Sequence, residues 1–103
     1  MDFAVAVDRL DDGVVVRIEG ELDMASAPEL ERAISHVTTE PHLVIDLTSC
    51  TFLDSTGMRV ITETIRQAPR VSVVATDPGM LRLLEITAVD TMAPVHASLE
   101  DAL

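Results

Sequence analysis

The segment His42–Leu47 (HLVIDL) is the strongest constraint in this chain. It is an almost continuous apolar run of strand length, closed on its amino side by Pro41, and such runs form strands buried on both faces. A strand of that kind needs cover above and below its sheet. In 103 residues that leaves room for one small layered domain, residues 1–103. Val71–Ala75 (VSVVA) is a second strand, and Pro69 and Pro78 separate it from the helical patterns on either side.

The remaining elements follow from turn and cap chemistry. Phe3–Asp8 (FAVAVD) and Val14–Glu19 (VVVRIE) read as β-branched strands joined by Asp11-Asp12-Gly13, a hairpin. Gly20 and the residues after it close the second strand. Ser26 as N-cap, with Pro28 and Glu29 in the first turn, opens a helix whose apolar face is Leu30, Ala33, Ile34 and Val37. Asp54, Ser55 and Thr56 are all competent caps for a helix carrying Met58, Ile61 and Ile65 to Gln67. Asp77-Pro78 opens a third helix through Met80, Leu83 and Leu84 to about Ile86. Ala93–His96 is a short last strand, and Ser98 caps a final turn, Leu99–Leu103. The order β-β-α-β-α-β-α-β-α predicts an α/β domain with a small mixed sheet and four helices.

Composition narrows the function. Only Phe3 and Phe52 are aromatic, so the core is built from aliphatic residues and Met. Acidic residues outnumber basic ones 18 to 7, a formal charge of -11. Such a surface repels phosphates and anionic headgroups, which argues against nucleic-acid and membrane roles and for a partner protein with a basic patch. Cys50 stands alone and forms no internal disulfide. No apolar run approaches the roughly 20 residues of a membrane span. Asp2 follows Met1 with no basic, apolar leader, so a cytoplasmic location is expected. His36, His42 and His96 lack metal-ligand spacing, and Asp8, Asp11 and Asp12 read as a solvated turn. Without a Walker loop, dinucleotide fingerprint or Ser-His-Asp order, neither a cofactor nor independent catalysis is expected.

Chemistry concentrates after the buried strand. That strand is expected to end at Leu47, with a polar loop leading to Asp54-Ser55-Thr56 at a helix start. Hydroxyls there lie beside unpaired N–H groups and the positive end of the helix dipole. The cluster is either a plain cap or a place for a phosphate, bound in a ligand or attached to Ser55 or Thr56. Cys50, in that loop with no nearby His, reads as a packing residue.

Asp54-Ser55-Thr56-Gly57, preceded by Phe52-Leu53 and the VIDL strand, resembles the signature of STAS domains of the bacterial anti-sigma-factor antagonist type. Gly20-Glu21-Leu22-Asp23 matches a second signature of that family, and Leu81–Val89 (LRLLEITAV) resembles its third helix and the following turn. The resemblance implies a protein that binds an anti-sigma factor serine kinase while unphosphorylated, freeing the sigma factor. It implies phosphorylation by ATP on Ser55, with Thr56 the second choice, and reversal by a phosphoserine phosphatase. Glu21, Asp23, Asp54, Ser55, Thr56, Gly57 and Arg59 form the implied partner surface. Many relatives carry a small residue where this chain has Arg59, which either selects the kinase or is simply a solvated arginine paired with Glu63. Two other readings stay open: a non-switching STAS subunit docked on a transporter ATPase or lipid-transport complex, and a small-molecule or nucleotide sensor using the helix start at Ser55.

Overall fold

The computed structural model describes residues 2–103. Five strands form one sheet in the order of the chain: β1 (Phe3–Leu10), β2 (Gly13–Leu22), β3 (Leu43–Leu53), β4 (Val71–Val74) and β5 (Val95–His96). β1 and β2 are the expected antiparallel hairpin, turning at Asp11-Asp12, and the other pairs are parallel. Because the parallel strands advance in one direction, crossovers of the same hand put their helices on one face. α1 (Ala27–Ser35), α2 (Ser55–Gln67), α3 (Pro78–Ile86) and α4 (Val89–Met92) accordingly share one core with that face of the sheet. Leu30, Ile34 and Val37 of the first helical segment and Met58 and Ile61 of α2 are buried there, as their spacing predicts, while Ala33 and Ile65 are half-buried.

The opposite face carries a smaller apolar layer. Val15, Val44 and Val74 lie fully under Leu99, Ala102 and Leu103 of the C-terminal turn α5 (Leu99–Ala102). Ser98 caps that turn as expected, accepting from the Asp101 amide at 3.2 Å. Toward β1 this face is polar: Arg17 pairs with Asp8 at 3.2 Å and with the buried Asp46 at 3.8 Å. The buried His42 lies 2.9 Å from Ser72 through Nε2 and Oγ.

Four expectations are corrected. β3 does not end at Leu47; it continues to Leu53, so Thr48–Leu53 is strand and not loop. It can continue because β2 also passes Gly20 and runs to Leu22, pairing Glu19 with Ser49 and Leu22 with Leu53. Register shifts between Arg17 and Glu19 and between Gly20 and Glu21 break the period-2 pattern that would have revealed this extension. Gly20 sits at φ +86, where a Cβ would lie 1.9 Å from the Asp2 carbonyl oxygen, so only glycine fits this bend. Ser26 is not a side-chain cap of α1. Among the described residues the helices number five rather than four, because Ala88 adopts the left-handed conformation (φ 62, ψ 19) and lets the chain restart as α4.

Candidate functional site

The carboxyl ends of β2, β3 and β4 deliver three loops to one edge of the sheet, the position where open α/β sheets place their sites. β3 leads directly into α2, so Asp54 is the hinge between strand and helix. Its extended backbone (φ -98, ψ -176) is that of an N-cap, and its Oδ1 accepts from the Gly57 amide at 2.9 Å. The same carboxylate reaches across to the β2–α1 loop, where Oδ2 accepts from the Met24 amide at 3.2 Å. The Asp54 amide in turn donates to the Leu22 carbonyl at 3.2 Å. Asp54 therefore ties the two sequence motifs together, a role beyond capping.

Ser55 is the first residue of α2 and is exposed; Thr56, the second, is half-buried. Ser55 thus presents its hydroxyl where the first-turn amides and the helix dipole favour negative charge. Gly57 is buried. A Cβ there would meet Leu22 Cγ at 2.6 Å, Leu53 Cδ1 at 2.8 Å and the Leu22 carbonyl oxygen at 2.9 Å, so the glycine lets α2 close down on the end of β2. Arg59 is exposed one turn further on and pairs with Glu63 at 3.3 Å.

The β2–α1 loop is fixed by its own hydrogen bonds. Asp23 Oδ1 accepts from the amides of Ala25 and Ser26, both at 3.0 Å. Ser26 Oγ accepts from the Asp23 amide at 2.9 Å and donates to the Glu21 carbonyl at 2.8 Å. The Ser26 amide above all holds the Asp23 carboxyl below its usual range, opposed by desolvation and helped by the Ser26 hydroxyl and Ala25 amide. Ser26 is thus spent on shaping the loop, which is why it does not cap α1. Glu21 is half-buried, and its Oε2 is a buried oxygen without a hydrogen-bond partner among the described residues. It borders a depression of about 370 Å³ lined also by Phe3, Asp23, Ser26 and Glu29.

On the other side of β3, a depression of about 440 Å³ lies between Thr48, Thr51 and Phe52 of the strand and Asp77, Met80 and Leu83 around the start of α3. Asp77 caps α3 as expected, accepting from the Met80 amide at 3.0 Å. Cys50 borders this depression but is buried, and its thiol donates to the Phe52 carbonyl at 3.3 Å. Burial pushes the thiol above its usual range, the reverse of what a nucleophile needs. Among the described residues, no group of three His, Cys, Asp or Glu side chains is placed to hold a metal ion. Among the same residues, no helix is long and apolar enough to cross a membrane.

The structure thus gathers Glu21, Asp23, Asp54, Ser55, Thr56 and Gly57 at one edge, with Arg59 a turn away. Met24, expected with the other methionines to fill the core, is instead exposed. Its one signal in the sequence is an apolar residue set in the polar turn between Asp23 and Ser26, with no periodic partner.

Comparison with known proteins places the fold and the family. The STAS domain model matches residues 4–102. The anti-sigma-F factor antagonist RsfB of Mycobacterium tuberculosis is 34% identical over 94 residues, covering 86% of this chain and 77% of RsfB. The crystal structure of an anti-sigma factor antagonist from Mycobacterium paratuberculosis superposes with a TM-score of 0.92 at 35% identity, covering 98% of this chain and 91% of that one. The Bacillus cell fate determinant SpoIIAA in its phosphorylated form shares the fold, with a TM-score of 0.71 at 21% identity and 96% coverage of both chains. With both signatures converging at the ends of β2 and β3, the chain belongs to the STAS domain family.

Proposed function

We propose that this protein is an anti-sigma factor antagonist switched by phosphorylation of Ser55. Unphosphorylated, it binds an anti-sigma factor that is also a serine kinase and so frees the sigma factor. The kinase transfers the γ-phosphoryl group of ATP to Ser55 Oγ, the hydroxyl proton leaves, and ADP is released. A phosphoserine phosphatase reverses the step in the cytoplasm. The observation that carries this reading is the exposed Ser55 at the first position of α2, directly after the capping Asp54, in a chain 34% identical to an anti-sigma-F factor antagonist.

The physics favours a change of surface without a change of fold. A phosphoserine adds about -1.5 to -2 charges and three acceptor oxygens. The start of α2 offers it local compensation, so the domain has no need to rearrange. A partner, however, meets a bulky dianion beside Asp54 in place of a small hydroxyl. A penalty of about 3 kcal/mol is more than a hundredfold in affinity. The acidic residues Glu21, Asp23 and Asp54 at this edge, in a chain of net charge -11, support a partner surface that brings positive charge.

The test is incubation with ATP and each anti-sigma factor kinase of the source organism, followed by peptide mapping by mass spectrometry. One phosphoryl group on Ser55 is expected. Ser55→Ala should bind the kinase and resist release by ATP, and Ser55→Asp should bind at least about a hundredfold more weakly. Equal affinity of Ser55→Asp and the unmodified protein would refute the switch. Phosphate on Thr56 would move the assignment one residue.

A further inference from the structure

Met24 is the most exposed large apolar side chain among the described residues, at 75%, and Phe52 is 47% exposed. Both stand at the carboxyl edge of the sheet that also carries Ser55. Met24 leaves the end of β2 with its own amide held by Asp54, and Phe52 comes from the last residues of β3, in register with Glu21. Neither exposure is required by the fold, since the core closes without them. Met24 is also not on a loose loop. Its neighbours Asp23 and Ser26 are locked by hydrogen bonds of 2.8–3.0 Å, and Asp54 pins it from the side. An apolar side chain carried on a rigid backbone costs little ordering when it enters a pocket, which is the character of an interface anchor.

We infer that Met24 is an apolar anchor that inserts into an apolar pocket of the anti-sigma factor, with Phe52 a secondary apolar contact on the same edge of the sheet, and that the pocket is rimmed by arginine or lysine. The rim follows from charge: Asp23 precedes Met24 directly, Asp54 holds its amide, and Glu21 and Glu29 flank the same loop, in a chain of net charge -11. A second copy of this chain would bring the same acidic rim and be repelled. Thioether flexibility lets Met24 fill a pocket of irregular shape, so this position sets which anti-sigma factor is accepted while Ser55 sets whether it is accepted.

The inference rests on the proposed antagonist function, and one binding experiment separates the two. Each anti-sigma factor encoded by the source organism is purified singly and titrated by calorimetry with the unmodified protein, Ser55→Asp, Met24→Gln, Met24→Leu and Phe52→Thr. The unfolding midpoints of the variants report that they fold. Met24→Gln is expected to lose about tenfold or more in affinity, Phe52→Thr several-fold, and Met24→Leu to stay within about threefold. The Met24→Gln loss should persist at about 0.5 M salt, where interactions of the acidic rim are screened. If Ser55→Asp weakens binding but Met24→Gln and Phe52→Thr bind like the unmodified protein, the anchor is refuted and the antagonist reading survives. If no anti-sigma factor binds the unmodified protein, the antagonist reading fails and takes the anchor with it.

Discussion

Gly57→Ala tests how α2 is seated on the sheet. The new Cβ would lie 2.6 Å from Leu22 Cγ, 2.8 Å from Leu53 Cδ1 and 2.9 Å from the Leu22 carbonyl oxygen. To restore ordinary contact, the start of α2 must retreat from Leu22 by about 0.8 Å, since 3.4 Å is the lower bound of ordinary contact. The carbonyl cannot swing aside, because it accepts from the Asp54 amide. A retreat of that size stretches the Asp54–Met24 bond from 3.2 Å beyond hydrogen-bonding range. Overpacking costs about 1–3 kcal/mol. The lost bond adds about 1 kcal/mol, and alanine's better helix propensity returns about 1 kcal/mol. The net loss is about 1–3 kcal/mol, or about 4–8 °C of midpoint for each kcal/mol in a domain of this size. Urea unfolding followed by circular dichroism should show a lower midpoint with an unchanged slope. In a Leu22→Ala background, which removes the nearest side-chain obstacle, the substitution should cost measurably less. A Gly57→Ala protein as stable as the original would show that helix propensity wins and that the close approach is not what demands glycine.

Two further perturbations probe other elements. Ala88 holds φ 62 without being glycine, which costs about 1–2 kcal/mol, while glycine costs about 0.4–1 kcal/mol through the unfolded chain. Ala88→Gly should therefore stabilise the domain by about 0.5–1 kcal/mol in thermal unfolding, and a lower midpoint would mean that the alanine methyl is held by contacts worth more than the strain. The His42 ring is held below its usual range chiefly by burial, then by the positive charge of Arg70 and by His96, against a hydrogen bond with the Asp12 backbone. The folded state thus binds fewer protons at His42 than the unfolded state, and this contribution is fully present above about pH 6.5 and lost as pH falls through the lower folded value. Stability measured by urea unfolding should decline by at most about 1.4 kcal/mol per pH unit below that point, and His42→Gln should flatten the decline; an unchanged slope would assign it to other groups.

The sequence made much of this legible, for identifiable reasons. The hairpin turn at Asp11-Asp12, the buried run Leu43–Leu47 and the caps at Asp54, Asp77 and Ser98 are local chemistry, and local chemistry survives into the fold. The second half of β3 was hidden because its pattern depends on a partner strand. Beyond Asp46, β4 no longer pairs with it, so Thr48, Ser49, Thr51 and Phe52 are exposed and read as loop. Ser26 has the look of a cap, but its hydroxyl is taken by Asp23 and Glu21, a competition decided by backbone geometry. In the site, the pairing of the two motifs by family resemblance could be stated from sequence. That Asp54 is the physical link between them, and that Gly57 is demanded by Leu22, are long-range facts that spacing does not encode.

The seating of Ser55 also bears on what sort of enzyme could modify it. Kinases that read short linear motifs thread an extended peptide through a cleft. Ser55 is already wound into the first turn of α2, and drawing it out would break the Asp54 bonds to Gly57 and to Met24 together. An enzyme acting on this hydroxyl must accept the intact domain as its substrate. A synthetic peptide spanning Phe52–Met58 would then be a poor substrate and a poor competitor. If Ser55 is the residue modified, the surface presented with it would come from two loops that lie thirty residues apart in the chain and meet only after folding.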